Sequence, residues 1–151
     1  MTVCCTGSSR VAEDIPSPPE GFVRSEGRGE FSNHNGPYFH RVSGPLTEQT
    51  FFALPRHANG LGLVHGGMLT AFLDGLMGAA TFRAARRPGV TIHLSVDFLH
   101  MARVGEWVMG EAKVTRHTAD VAFAEARAYV GSRDVVRGSG VFKLMQNRPR
   151  S

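Results

Sequence analysis

The sequence holds one carboxylate in a long uncharged segment, with a pair of glycines just ahead of it. Asp74 is the only formally charged residue between positions 57 and 82, and burying an unpaired carboxylate is costly unless the group has a use. The triplet His65-Gly66-Gly67 stands where a helical pattern begins. A free main-chain N–H at a helix start can donate to a carbonyl oxygen that gains negative charge. Together these features favour an enzyme.

A helical apolar period predicts the element that positions both groups, a long helix from about Gly66 to Ala85. One broad stripe of it is apolar and consists of Met68, Leu69, Phe72, Leu73, Leu76, Met77 and Ala80. Asp74 falls on the opposite side among small residues, which indicates that another backbone approaches closely there.

The spacing of Gly66 and Asp74 limits how they can cooperate. They are eight residues apart, which is about 12 Å along a helix, so one reacting carbon cannot contact both. Either they serve unrelated purposes, or Gly66 of one subunit meets Asp74 of another. The small-residue face around Asp74 favours the second arrangement, and a homodimer is then the minimum catalytic unit.

The rest of the chain predicts strands. Two short strands are expected at residues 37–44 and 47–55, and four more near residues 90–99, 106–115, 120–131 and 135–145, where polar and apolar residues alternate. In the third of these four, Ala122, Ala124, Ala126 and Ala128 share one face, which lets a sheet curl tightly around a helix. No βαβ alternation is present. The predicted class is α+β, a curved antiparallel sheet wrapped around one long central helix.

Composition limits the number of domains and the kinds of partner. The 151 residues are 42% hydrophobic, which predicts one domain at 21–147 with a flexible tail at 1–20 and a short tail at 148–151. The net charge of +4 comes from scattered basic residues, which suit a solvated surface or a polyanionic small molecule better than nucleic acid. The adjacent Cys4 and Cys5 indicate a reducing compartment, and no secretory signal is visible, so we expect a cytoplasmic protein that does not enter a membrane.

From Asn59 to Asp74, followed by the strand at 90–99, the sequence resembles the hotdog-fold acyl-CoA thioesterases. The likeness is nearest to the phenylacetate-degradation (PaaI-like) type and covers roughly residues 36–146. It implies hydrolysis of an acyl-CoA thioester at a homodimer interface, with dimers pairing further into a tetramer and with no cofactor. The acyl group is left open among small, aromatic and medium-chain acids.

The resemblance also implies roles for individual residues. Gly66 would polarise the thioester carbonyl, and Asn59 would hold the loop or the substrate. Asp74 of the neighbouring subunit would act as general base or nucleophile, and Thr91 stands where some relatives have a serine that orients water. His65 belongs to the motif and is expected to fix the loop. Further candidates for substrate binding are Gly67, Arg116, Arg137 and Lys143.

Several alternatives stay open at this point. Asp74 alone suits a structural acceptor inside a helix interface as well as a catalytic role. The remaining histidines lack tight ligand spacing and no cysteine joins them, so no metal site is expected; nor does a Gly-x-Ser-x-Gly motif occur. A hydratase or dehydratase acting on an acyl thioester, with His65 and Asp74 handling protons, is one rival function. A non-catalytic acyl-CoA-binding module is the other.

Overall fold

A computed structural model of the chain describes residues 13–42 and 44–147. The predicted tails at 1–20 and 148–151 lie largely outside these ranges, and the domain boundaries stay a prediction. The elements in chain order are β1 (Val23–Arg24), α1 (Glu30–Asn35), β2 (Tyr38–Arg41), β3 (Thr47–Phe52), a 3-10 turn (Pro55–His57), α2 (Gly66–Ala85), β4 (Gly89–Phe98), β5 (Trp107–His117), β6 (Val121–Val130) and β7 (Arg133–Leu144). No helix in this part of the chain is long and apolar enough to cross a membrane.

All seven strands form one antiparallel sheet in the order β1-β2-β3-β5-β6-β7-β4. The four alternate alanines of β6 are buried, as predicted, and they let the sheet close around α2. Gly110 lies so near the helix that a Cβ there would come within 2.7 Å of the Phe72 ring. The predicted α+β fold, a curved sheet around one long helix, is confirmed.

The elements after residue 65 begin and end close to their predicted limits, and α2 has the predicted bounds. The sequence patterns missed β1 and α1. The reason is physical, since β1 has two residues and α1 buries none of its six. Neither element therefore shows an apolar period.

Candidate active site

The amino terminus of α2 is capped by the side chain of the residue before it. His65 has extended backbone angles, and its Nδ1 accepts a hydrogen bond of 2.8 Å from the Gly67 N–H. The His65 carbonyl accepts the N–H groups of Met68 and Leu69. His65 therefore works as a helix cap, and its part in the active site stays a prediction.

Gly66 is the first residue of α2, and its N–H has no acceptor among the described residues. A Cβ at this position would lie 3.3 Å from the Phe98 ring, so the backbone of Gly66 and this ring are in close contact. Glycine thus leaves a free donor at the positive end of a 20-residue helix. That is the geometry required to bind an oxyanion.

Asn59 organises the loop that leads to the helix. Its Oδ1 accepts the N–H groups of Leu61 at 2.9 Å and Leu63 at 3.2 Å, and its own N–H donates to the Leu63 carbonyl at 2.8 Å. This side chain closes a local turn. These bonds hold the loop together, and a part for Asn59 in the active site stays a prediction.

His57 was not among the predicted site residues, but it also holds this loop in place. Its Nδ1 accepts the Leu54 N–H, so Nε2 carries the proton and donates to the Asn35 carbonyl at 2.8 Å. Its carbonyl accepts the His65 N–H. Burial, together with the nearby Arg56 guanidinium, lowers the pKa of His57 below the ordinary 6.5. The loop therefore depends on a neutral imidazole.

Stability should fall as the pH drops below about 6.5. Between that value and the lower folded pKa of His57, the unfolded chain binds a proton that the folded chain does not, so the free energy of unfolding rises with pH there. Replacing His57 by Gln should lower stability and also flatten this slope. Urea unfolding of both proteins from pH 5 to pH 8 tests the prediction, and equal slopes would contradict it.

The carboxylate of Asp74 is held from the neighbouring edge strand. Thr91 in β4 donates its hydroxyl to Asp74 Oδ1 at 2.6 Å, and no other hydrogen bond reaches this carboxylate from the described residues. Asp74 is half-buried and lines a cavity of about 400 Å³ that extends two helical turns to Gly67. A short bond to one oxygen orients the group and leaves the other oxygen available for a proton.

The candidates thus fall into two groups. Asp74 and Gly67 line the cavity, and Thr91 in β4 bonds to Asp74, whereas Gly66, His65 and Asn59 lie at the start of α2 and in the loop before it. The eight-residue offset of Gly66 and Asp74 within a continuous helix keeps them about 12 Å apart along its axis. One chain alone does not bring the oxyanion donor and the carboxylate to one carbon.

Comparison with known proteins decides the family. The model of the thioesterase superfamily matches residues 61–136. A Pseudomonas aeruginosa protein named for an expected esterase activity is 37% identical over 131 residues, which are 83% of this chain and 96% of that one. The chain belongs to the thioesterase superfamily. The predicted family and the predicted class of enzyme, a thioester hydrolase, are confirmed.

Other known proteins share part of this sequence or have the same fold. Mouse acyl-coenzyme A thioesterase 13 is 29% identical over 70 residues, 46% of this chain and 50% of the mouse protein. A variant of the phenylacetic acid degradation protein PaaI from Thermus thermophilus has a TM-score of 0.69 at 18% identity, over 76% of this chain and 98% of its own. A thioesterase-type protein from Streptococcus pneumoniae, solved with coenzyme A, has a TM-score of 0.68 at 16% identity, over 74% and 91%. At these identities the two structures establish the fold alone.

The three basic residues predicted to bind substrate lie away from the cavity at Asp74. Arg116 is exposed near the end of β5, Arg137 in β7 pairs with Asp97 at 3.4 Å, and Lys143 pairs with Asp120 at 3.8 Å. Arg137 lines a separate groove of about 590 Å³ on the sheet. As contacts for CoA phosphates, all three stay predictions.

The cation that does line the cavity was missed by sequence reasoning. Arg28 sits between β1 and α1, where its Nη1 donates to Gln49 Oε1 at 2.8 Å and its guanidinium lies 4.9 Å from the centre of the Tyr38 ring. Burial lowers the pKa of Arg28 and raises that of Tyr38. Arg28 stands between Gly27 and Gly29, in a segment without an apolar period. The sequence therefore held no signal that placed Arg28 near Asp74.

Proposed function

We propose that this protein hydrolyses a small, aromatic or medium-chain acyl-CoA thioester to the free acid and CoA. The observation that carries the proposal is the Asp74 carboxylate, which Thr91 holds at a cavity. It lies on a helix whose first N–H has no acceptor in residues 13–42 and 44–147. The mouse relative, an acyl-CoA thioesterase, and the coenzyme A complex of the Streptococcus protein support a CoA thioester as substrate.

The proposed active unit is a homodimer, with further pairing into a tetramer. β4 is an edge strand of the sheet, and large apolar side chains on it and just beyond it are exposed, among them Val90, Ile92, Phe98 and Leu99. Unpaired apolar edges favour pairing with another strand. A twofold pairing of β4 with its copy would cover these side chains and bring each Asp74 towards the other subunit's helix start.

In the proposed mechanism the Gly66 N–H of one subunit donates to the thioester oxygen as it becomes negative. Asp74 of the other subunit takes a proton from water while the water oxygen bonds to the carbonyl carbon. The C–S bond then breaks, and the proton passes to the departing sulfur. In the alternative route an Asp74 oxygen bonds to the carbonyl carbon and the C–S bond breaks, so that CoA leaves as its thiolate. Water then hydrolyses the resulting anhydride, which restores the Asp74 carboxylate, releases the acid and supplies the proton that the thiolate takes up. Thr91 orients the carboxylate in both routes.

Replacing Thr91 by Val should lower kcat roughly 10- to 100-fold, because a hydrogen bond to a charged group contributes roughly 1.5–3 kcal/mol. Thr91→Ser keeps the hydroxyl and should retain most of the activity. Steady-state thiol release by both variants tests this role. A valine variant as active as the serine variant would show that the bond to Asp74 does not contribute.

Thiol release over a panel of acyl-CoA thioesters tests the function itself. We expect free CoA from at least one class of acyl group, and we expect this release to require Asp74. Loss of substrate without free thiol would instead indicate a hydratase. Tight binding of CoA thioesters without turnover across the panel would indicate a binding module.

A further inference from the structure

Arg28 is a cation inside the cavity, and it has no anionic partner among the described residues. Of its five N–H donors, one is bonded to a group in the described ranges, Gln49 Oε1. No carboxylate in the described part of the chain forms an ion pair with it. A half-buried guanidinium is costly to desolvate without a negative group. The arrangement therefore suits an anion that arrives with a ligand.

The position of Arg28 is fixed from three sides. Its Nη1 is bonded to the buried Gln49, its plane lies over Tyr38, and its Nη2 comes within 3.1 Å of where a Cβ on Gly75 would stand. A side chain at position 75 would crowd this guanidinium. Glycine there leaves room for Arg28 directly against α2, which holds its free donors in a set direction.

Arg28 and Asp74 are close enough to act on one acyl group. Gly75 follows Asp74 in the chain, so the guanidinium lies within about 10 Å of the Asp74 carboxylate. A short acyl chain spans that distance. The phosphates of CoA are less suitable partners for Arg28, because the pantetheine arm places them about a dozen bonds from the thioester.

From this geometry we infer that Arg28 selects acyl groups that carry a carboxylate at the far end, so that the substrates are short dicarboxylic acyl thioesters. The inference rests on the proposed thioesterase function. Charge-assisted bonds from the Arg28 fork to the acyl carboxylate would hold the chain with its thioester at Asp74. Gln49 and Tyr38 orient the guanidinium.

The test compares glutaryl-CoA with glutaramoyl-CoA, in which a neutral amide replaces the carboxylate. Arg28→Met should lower kcat/KM at least about tenfold on glutaryl-CoA and less than about threefold on the amide. Arg28→Lys should recover part of the loss. Arg24→Met is the matched control, because Arg24 is exposed in the same segment and pairs with Glu26. This variant should leave kcat/KM unchanged on both substrates.

A second variant tests the same idea without truncating Arg28. Gln49→Glu places a carboxylate of similar shape against the guanidinium, and it should reduce the preference for glutaryl-CoA about as much as Arg28→Met. Equal losses on both substrates in either variant would show a structural role and overturn the inference.

Acyl pantetheine thioesters, which lack every phosphate, distinguish the source of the anion. The dependence on Arg28 should persist with glutaryl pantetheine; its disappearance would assign Arg28 to a CoA phosphate and overturn the inference. Asp74-dependent release from neutral thioesters without any preference for glutaryl-CoA would refute the inference alone. No thiol release from any thioester would refute the proposed function.

Discussion

Asp74→Asn should reduce kcat for acyl-CoA hydrolysis by roughly 10²–10⁴, the range that a positioned general base contributes. The replacement keeps the shape of the side chain, and its amide oxygen can still accept the Thr91 hydroxyl. It removes only the ability to take a proton from water or to attack the carbonyl. The measurement is thiol release under saturating substrate, with substrate binding followed separately.

Asp134→Asn is the matched control for this experiment. Asp134 is exposed on β7 and pairs with Arg127 at 2.6 Å, away from the cavity that holds Asp74. It should hydrolyse acyl-CoA at the parent rate. An Asp74→Asn variant that did the same would remove the carboxylate from the mechanism.

Gly66→Pro should reduce kcat by roughly 10²–10³, the effect of removing one oxyanion donor. Proline is well accepted at the first helical position, where its missing N–H breaks no helical bond. The angles of His65, φ −60° and ψ 136°, lie near the polyproline II region, which a residue before a proline can adopt. The variant should therefore keep its helix and lose the donor.

Gly66→Ala distinguishes the loss of the N–H donor from crowding by an added Cβ. Alanine keeps the N–H but adds the same Cβ near the Phe98 ring, 3.3 Å away. Because that ring is exposed, it can move, and we expect a loss of less than about tenfold. If alanine and proline reduced kcat equally, crowding would explain the effect, and the Gly66 N–H would have no special role.

The framework of the site was predictable because its elements have strong periods. Seven apolar residues at helical spacing predicted α2 from Gly66 to Ala85, and strict alternation predicted β4 with Thr91. The offset of Gly66 and Asp74 followed from the rise of a helix. These are local regularities that a single sequence contains in full.

The contents of the cavity were not predictable in the same way. Arg28 reaches Gln49 over 21 residues. Arg28 lies between β1 and α1, two elements whose positions depend on tertiary contacts and not on an apolar face of their own. Likewise, the sequence does not distinguish a histidine that caps a helix, as His65 does, from a buried anchor such as His57. Only the partners of each ring separate these roles.

The central claim is that each site combines Gly66 of one subunit with Asp74 of the other. Two-tag purification can isolate mixed dimers of two designs. In the first, one subunit carries Gly66→Pro and its partner carries Asp74→Asn. In the second, one subunit carries both changes and its partner is unaltered. Both designs contain the same two substitutions per dimer, so each controls for the other.

Thiol release by these two mixed dimers tests the claim most directly. With shared sites, the first dimer keeps one intact site and should show about half of the parent activity, whereas both sites of the second dimer are broken and it should be nearly inactive. The opposite result, an inactive first dimer and a half-active second dimer, would place the whole site within one chain and contradict the account.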